Sequence, residues 1–272
     1  MTSTQIGQSS FLLWAMAALV SVLAAYLFVG WVRRAQGAYS LGELWGSALL
    51  ASSVLGLGLS SSTVLALSAP ALAFPLGYRW WALPWLVLCP MAACLPAAWW
   101  LSRRQDWLAL LGAGLLIGAV ALAVQVGWVL AAGFRPGLRW QFGWLAAAGS
   151  LAVLGSTASL WLAYSEASSN GANRTLWRVG AAALMALTVM TSQEGVLLST
   201  DLLFQVGSVY AREAGSTWLC LVAGALVPAA LVALSLDLTL RLGSDRRGRR
   251  HGSYTEPSPA GRRKRRRRYR AL

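Results

Sequence analysis

The chain has 272 residues, of which 57% are hydrophobic and only 12% are charged. A soluble domain carries about 25% charged residues, so this composition excludes an ordinary water-soluble protein. The formal net charge is +14, and most of that excess lies after the last apolar segment.

Seven segments contain no Asp, Glu, Lys or Arg, and most reach the roughly 20 residues that a helix needs to cross a bilayer. The sixth is shorter and is expected to extend from Leu176 past Glu194 to Leu198. The alternation of a transmembrane β-barrel is absent, so the segments are predicted to be helices. The sequence thus predicts an all-α integral membrane protein with seven transmembrane helices. The charge-free segments are Phe11–Val32, Leu44–Tyr78, Trp80–Leu101, Trp107–Phe134, Trp140–Ser165, Val179–Gln193 and Ala214–Leu236.

The first apolar segment is predicted to be an anchor, since it is too long for a signal peptide and Arg33 and Arg34 follow it directly. Residues 1–10 are then expected outside. From Arg241 to Leu272 there are 13 Lys and Arg against two acidic residues, and a positive-inside bias places this end in the cytoplasm. The expected organisation is an external N-terminus at 1–10, a membrane domain at 11–238 and a disordered polybasic cytoplasmic tail at 239–272.

The membrane domain repeats internally. Arg79-Trp80 opens the third segment and Arg139-Trp140 opens the fifth, 60 positions later. Polar breaks interrupt the second, fourth and sixth segments near the same end, at Ser60–Thr63, Gln125 and Ser192–Glu194. The pattern predicts one entry helix followed by three repeated helix pairs. Because the three interrupted helices run in one direction, their polar breaks are expected at one depth, close enough to share a site.

Small residues near these breaks, such as Gly56, Gly58 and Gly118, are expected to let the three interrupted helices approach one another closely.

This layout resembles the MHYT domain, a bacterial membrane sensory module named after a Met-His-Tyr-Thr motif near the outer ends of three alternating helices. The segments GLGLSSSTVLAL, IGAVALAVQVGWVLA and MALTVMTSQEGVLL are similar to its three motif regions. The resemblance covers nearly all of Phe11–Leu238. It implies a signalling protein of the bacterial inner membrane with a seven-helix bundle.

The ligands of the family motif are missing. The resemblance implies a metal, proposed to be copper, which suits imidazole and thioether donors. The single histidine of this chain, His251, lies in the tail. We therefore expect a degenerate motif with no metal and no cofactor. Read onto this sequence, the family's three histidines fall on Thr63, Gln125 and Gln193, and its six methionines on Ser62, Val124, Ser192, Leu67, Val129 and Leu197.

The candidate site is therefore a junction of polar residues in place of metal ligands. One interpretation is that hydroxyls and amides hold the three helices together, each bond contributing about 0.6 to 2 kcal/mol. The other is a retained pocket for a small molecule or a proton. An ionisable residue in a span is a functional hypothesis by default. Glu194 lies either within this junction or, if the sixth helix ends near Gln193, at the water interface. The predicted junction residues are Ser62, Thr63, Gln125, Ser192, Gln193 and Glu194.

The basic tail predicts contact with anionic lipid headgroups, at about 1 kcal/mol per basic residue near the surface. This contact, or a role in fixing topology, is favoured over nucleic-acid binding because the tail is tethered to the bilayer. The predicted lipid-contact residues are Arg262, Arg263, Lys264, Arg265, Arg266, Arg267 and Arg268.

The sequence also argues against several functions. A rhodopsin needs a lysine within a span, but the single lysine is Lys264. No acid–base constellation predicts an enzyme, and the roughly 34 residues after the last segment are too few for a fused output domain. Two hypotheses remain. One is a sensory or regulatory protein with a membrane or cytoplasmic signalling partner, and the other is a structural or transport-type multi-pass subunit sharing only the seven-helix layout.

Overall fold

The computed structural model describes residues 3–70, 74, 76–104, 106–135, 138–165, 173–200, 207–211 and 213–237. Its helices confirm the predicted class: seven are long and apolar enough to cross a membrane. We number them as spans 1 to 7. They are Phe11–Gln36, Leu41–Ser68, Ala82–Arg103, Trp107–Ala131, Phe142–Ser165, Thr175–Leu198 and Thr217–Asp237.

The helices are α1 (Ser3–Gln36), α2 (Leu41–Ser68), α3 (Ala82–Ala93), α4 (Leu95–Arg103), α5 (Trp107–Ala131), α6 (Phe142–Ser165), α7 (Asn173–Leu198) and α8 (Ser216–Leu221). A π-helical turn follows α8 at Val222–Leu226, and α9 completes span 7 at residues 227–237. Helix α1 begins before the predicted membrane boundary at Phe11. Helix α2 ends at Ser68, ten residues before the end of its charge-free segment at Tyr78, and α5 ends at Ala131, three residues before Phe134.

The chain divides into two units, Met1–Val232 and Ala233–Leu272. The first holds six complete spans and the start of span 7. Of the second, the structure describes residues 233–237, which are helical. The predicted tail at 239–272 lies outside the described residues.

Span 3 is broken at Cys94, between α3 and α4. Pro90 lies inside α3, and Pro96 lies in the first turn of α4. A proline removes the hydrogen bond to the carbonyl four residues earlier and clashes with that carbonyl. The two prolines thus account for the division of this span into two helices.

Spans 2, 4 and 6 form the inner part of the bundle, where each contacts the other two. Span 3 packs between spans 2 and 4, span 5 between spans 4 and 6, and span 1 between spans 6 and 2. Span 7 packs against spans 1 and 2 from outside. Burial follows this order: 78% of the most apolar window of span 2 is buried, against 11% of that of span 7. The entry helix therefore closes the third groove of the inner trio.

Glycines set the distance between inner and outer helices. A Cβ on Gly58 would lie 2.2 Å from the Cβ of Ala24 in span 1, and one on Gly118 would lie 2.6 Å from the Cα of Val153 in span 5. Gly56 similarly faces the backbone of Met91 in span 3. The expectation that these glycines bring the inner helices together is wrong, because each one receives an outer helix instead.

Within the described residues, four two-residue strands lie at one end of the bundle, which we call the ribbon end. Strand β1 (Gly77–Tyr78) pairs antiparallel with β4 (Ala214–Gly215), and β2 (Phe134–Arg135) pairs with β3 (Gly207–Ser208). An isolated bridge joins Trp140 to Thr200. Through these pairs, the connection between spans 6 and 7 is hydrogen-bonded to the segments that follow spans 2 and 4.

The outer helices meet at the opposite end. Gln36, at the end of span 1, donates from Nε2 to the Leu101 carbonyl of span 3 at 2.9 Å and to the Tyr164 hydroxyl of span 5 at 2.6 Å. Tyr164 in turn donates to the same Leu101 carbonyl at 2.9 Å. One closed set of hydrogen bonds therefore links spans 1, 3 and 5.

Candidate functional site

The inner helices bring three polar positions to one depth. Spans 2, 4 and 6 end at Ser68, Ala131 and Leu198, all at the ribbon end. Thr63, Gln125 and Gln193 precede those ends by five, six and five residues. At 1.5 Å per residue, each lies about 8 to 9 Å along its helix from the end.

Gln125 joins span 4 to span 6. Its Nε2 donates to the carbonyl of Val189 at 3.1 Å, and its Oε1 accepts a hydrogen bond from the Ser192 hydroxyl at 3.0 Å. The Ser192 hydroxyl also lies 3.2 Å from the carbonyl of Ala148 in span 5. A single carboxamide thus acts as donor and as acceptor towards the same neighbouring helix.

Gln193 joins span 6 to span 2 through the backbone of Thr63. Its Nε2 donates to the Thr63 carbonyl at 3.3 Å. The side chain of Thr63 bonds within its own helix, to the Leu59 carbonyl at 2.7 Å, and that of Ser62 bonds to the same carbonyl at 3.1 Å. These two hydroxyls are therefore used locally rather than across helices.

We call Ser62, Thr63, Gln125, Ser192 and Gln193 the three-helix junction. Each is at most 2% exposed. Buried polar groups in hydrocarbon are costly unless they find partners, and here every hydroxyl and both carboxamide nitrogens have one. All five side chains are uncharged, so the junction holds three helices together by neutral hydrogen bonds.

Glu194, the sixth predicted site residue, faces away from this junction. Its Oε1 accepts a hydrogen bond from the Trp14 indole Nε1 of span 1 at 3.0 Å. The carboxyl side chain is partly exposed, and helix α7 continues past it to Leu198. Glu194 therefore joins span 6 to span 1, while its neighbour Gln193 joins span 6 to span 2.

Two further serines bond between helices, one near this set and one about 16 to 18 Å along the bundle towards the opposite end. Ser60 donates to the Leu86 carbonyl of span 3 at 2.9 Å, and Ser159 of span 5 donates to the Ala181 carbonyl of span 6 at 2.7 Å. Ser60 belongs to the run of hydroxyls that marked the polar break, but Ser159 and Trp14 carried no sequence signal of their own.

The part of the chain that the structure describes contains no group of three His, Cys, Asp or Glu side chains able to hold a metal ion. The predicted lipid-contact residues fall beyond residue 237, outside the described residues. They are Arg262, Arg263, Lys264, Arg265, Arg266, Arg267 and Arg268.

The ribbon end carries a compact aromatic layer. Tyr78 is fully buried and meets Trp128 edge to face, with ring centroids 5.3 Å apart. Its burial raises the pKa of the Tyr78 phenol well above the ordinary value. Gly133 has φ +58°, and a Cβ there would lie 2.5 Å from the ring of Tyr210. The Arg79 guanidinium lies over the ring of Trp81, 4.3 Å from its centroid.

In comparisons with known proteins, the chain matches no protein-family model, no curated protein and no solved structure.

Proposed function

We propose that this protein is a sensory or regulatory component of a bacterial inner membrane, similar in layout to the MHYT domain but working without the metal of that family. The observation that supports this proposal is the meeting of Thr63, Gln125 and Gln193 at one depth in three parallel spans. These are the positions that correspond to the family's three histidines.

The junction offers a physical means of relaying a stimulus. Three hydrogen bonds join span 6 to spans 2 and 4: Gln125 to Val189, Ser192 to Gln125, and Gln193 to Thr63. Each contributes about 0.6 to 2 kcal/mol in a membrane. If a ligand or lipid separates the ribbon end of span 6 from spans 2 and 4, the protein loses these three bonds together. The bundle then has two discrete arrangements, one with the bonds formed and one with them broken.

The proposed orientation places the ribbon end outside and the opposite end in the cytoplasm. Basic residues near the end of span 1, the end of span 3 and the start of span 6 support it, because cytoplasmic loops carry an excess of Lys and Arg. Arg34 at that end pairs with Glu43 at 3.3 Å, and Arg178 packs over the ring of Tyr26 at 4.2 Å. A signalling partner would then read the cytoplasmic end of the bundle.

Restoring the histidines tests the layout. The variant carrying Thr63→His, Gln125→His and Gln193→His should bind close to one copper ion per chain after purification, whereas the wild type should bind none. Each of the three double-histidine variants serves as a matched control and should bind copper more weakly. A folded triple variant that takes up no copper would show that the three positions do not form the proposed site.

Identifying the neighbours in cells tests the regulatory role. The wild type and the Ser192→Ala, Gln193→Leu variant are cross-linked in the native membrane and the captured proteins identified. Recovery of a kinase or a cyclic-dinucleotide enzyme, reduced by the double substitution, supports the proposal. Recovery of a transporter or a biogenesis complex with both proteins would instead assign a structural or transport-type subunit.

A further inference from the structure

A groove opens at the ribbon end between the start of span 1 and the end of span 2. Its volume is about 400 Å³, and its lining residues are Phe11, Trp14, Ala69 and Pro70. None of these four residues is charged. Phe11 is 75% exposed, so the groove opens to the lipid side of the bundle rather than into its core.

One of the side chains that line this apolar groove is hydrogen-bonded to a carboxylate. Trp14, which lines the groove, donates from its indole Nε1 to Glu194 Oε1 at 3.0 Å. The indole therefore borders the groove and is held in place by its hydrogen bond to the acidic group. The face of an indole ring also attracts a cation.

We propose that this groove binds the ethanolamine headgroup of a phospholipid. The ammonium group would contact the Trp14 face and approach Glu194, while the acyl chains lie along the exposed ring of Phe11. Aromatic faces with a nearby carboxylate are the surroundings that an organic ammonium prefers. An anionic headgroup lacks an ammonium group and would meet this carboxylate with no basic side chain among the described residues that line the groove.

The depth of the groove fits a headgroup. Phe11 begins span 1, and Ala69 and Pro70 directly follow the end of span 2. Glu194 lies four residues before Leu198, the last residue of span 6, so it is about 6 Å along the helix from that end. Tryptophan is itself enriched at this level of the bilayer. All parts of the proposed site therefore lie within about two helical turns of the ends of their spans.

Native mass spectrometry of the full-length protein in detergent micelles tests this inference, with phosphatidylethanolamine and phosphatidylglycerol of identical acyl chains added in equal amounts. The wild type should retain the ethanolamine lipid in roughly fivefold preference, the order expected for one ammonium contact with a carboxylate and an indole at a partly exposed site. Glu194→Gln should abolish the preference. Glu213→Gln is the matched control, since Glu213 is exposed at the same end and accepts a hydrogen bond from the Trp80 backbone, and this variant should keep the preference.

A second measurement needs no variant. Wild-type protein is offered phosphatidylethanolamine whose amine has been acylated and is therefore neutral, and it should retain this lipid no better than phosphatidylglycerol. Equal retention of the two unmodified lipids by the wild type would overturn the inference. So would an undiminished preference of the wild type for the acylated lipid, or an undiminished preference of the Glu194→Gln variant for unmodified phosphatidylethanolamine. These outcomes concern lipid selection alone and are independent of copper binding by the triple-histidine variant.

Discussion

The hydroxyl of Ser192 and the carboxamide of Gln125 meet across two spans, with 3.0 Å between Oγ and Oε1, although 67 residues separate them in the chain. Both residues are at most 1% exposed. The contact lies where span 5 packs against spans 4 and 6, and it connects span 4 to span 6 by a side-chain to side-chain bond.

A double-mutant cycle on this pair should reveal direct coupling. Ser192→Ala and Gln125→Leu should each lower the free energy of unfolding, and their effects should fall short of additivity by about 0.6 to 1.7 kcal/mol, the range for interhelical hydrogen bonds in membranes. Unfolding of the purified protein in mixed micelles measures each value.

The matched control for this cycle pairs Gln125→Leu with Ser150→Ala. The hydroxyl of Ser150 is exposed and bonds to the Ala146 carbonyl of its own helix at 2.8 Å. These two effects should add. Coupling as large in the control as in the test pair would argue against a specific bond at the junction.

Removal of the Gln193 carboxamide should loosen span 6 from span 2. Gln193→Leu keeps a side chain of similar size but leaves the Thr63 carbonyl without the amide donor, and we expect a loss of about 0.6 to 2 kcal/mol in the free energy of unfolding. Thr191→Val is the control, since its exposed hydroxyl bonds to the Leu187 carbonyl of its own helix at 2.7 Å. A larger loss in the control would contradict the assignment.

The contact between spans 4 and 5 should not tolerate one added methyl group. In Gly118→Ala the new Cβ would lie 2.6 Å from the Val153 Cα, and a backbone atom has little room to move away. We expect a loss of about 1 to 3 kcal/mol. Gly143→Ala, also in a helix but with nothing within 4 Å of the added Cβ, should be neutral or stabilising because alanine favours helix. Thermal unfolding of both variants decides between these outcomes.

Alkaline pH should destabilise the ribbon end through Tyr78. Burial raises the folded-state pKa of this phenol, so as pH rises through about 10 the unfolded chain ionises first and is favoured. The stabilisation is therefore complete below pH 10 and is lost above it. Tyr78→Phe should weaken this dependence, while Tyr39→Phe, at an 88% exposed position, should leave it unchanged. Identical pH profiles for both variants would contradict the prediction.

The helical architecture was accessible from the sequence because long charge-free segments have few alternatives in a bilayer. The common depth of Thr63, Gln125 and Gln193 also followed, since three helices of one direction with polar breaks near the same end need only similar lengths. The hydrogen-bond partners of these side chains could not be predicted from the sequence. Adjacent residues of a helix point about 100° apart around its axis. Gln193 therefore contacts span 2, whereas Glu194 contacts span 1.

The ribbons and the glycine contacts were inaccessible for different reasons. Strands β1 to β4 have two residues each, too few for any alternation to show, and they pair across connections distant in the chain. Gly118 could face an inner or an outer neighbour, and both choices satisfy the same composition. The choice depends on tertiary packing, which the local pattern of small residues does not encode.

The position of span 1 has a consequence for the order of biogenesis. Span 1 fills the groove between spans 6 and 2. The bundle of spans 1 to 6 is therefore not closed until span 6 has left the ribosome and packed against span 1. Span 7, with 11% of its most apolar window buried, adds nothing to that closure. Span 1 therefore packs against span 6 only after the four intervening spans have been synthesised. The core of the bundle can be complete before span 7 is added.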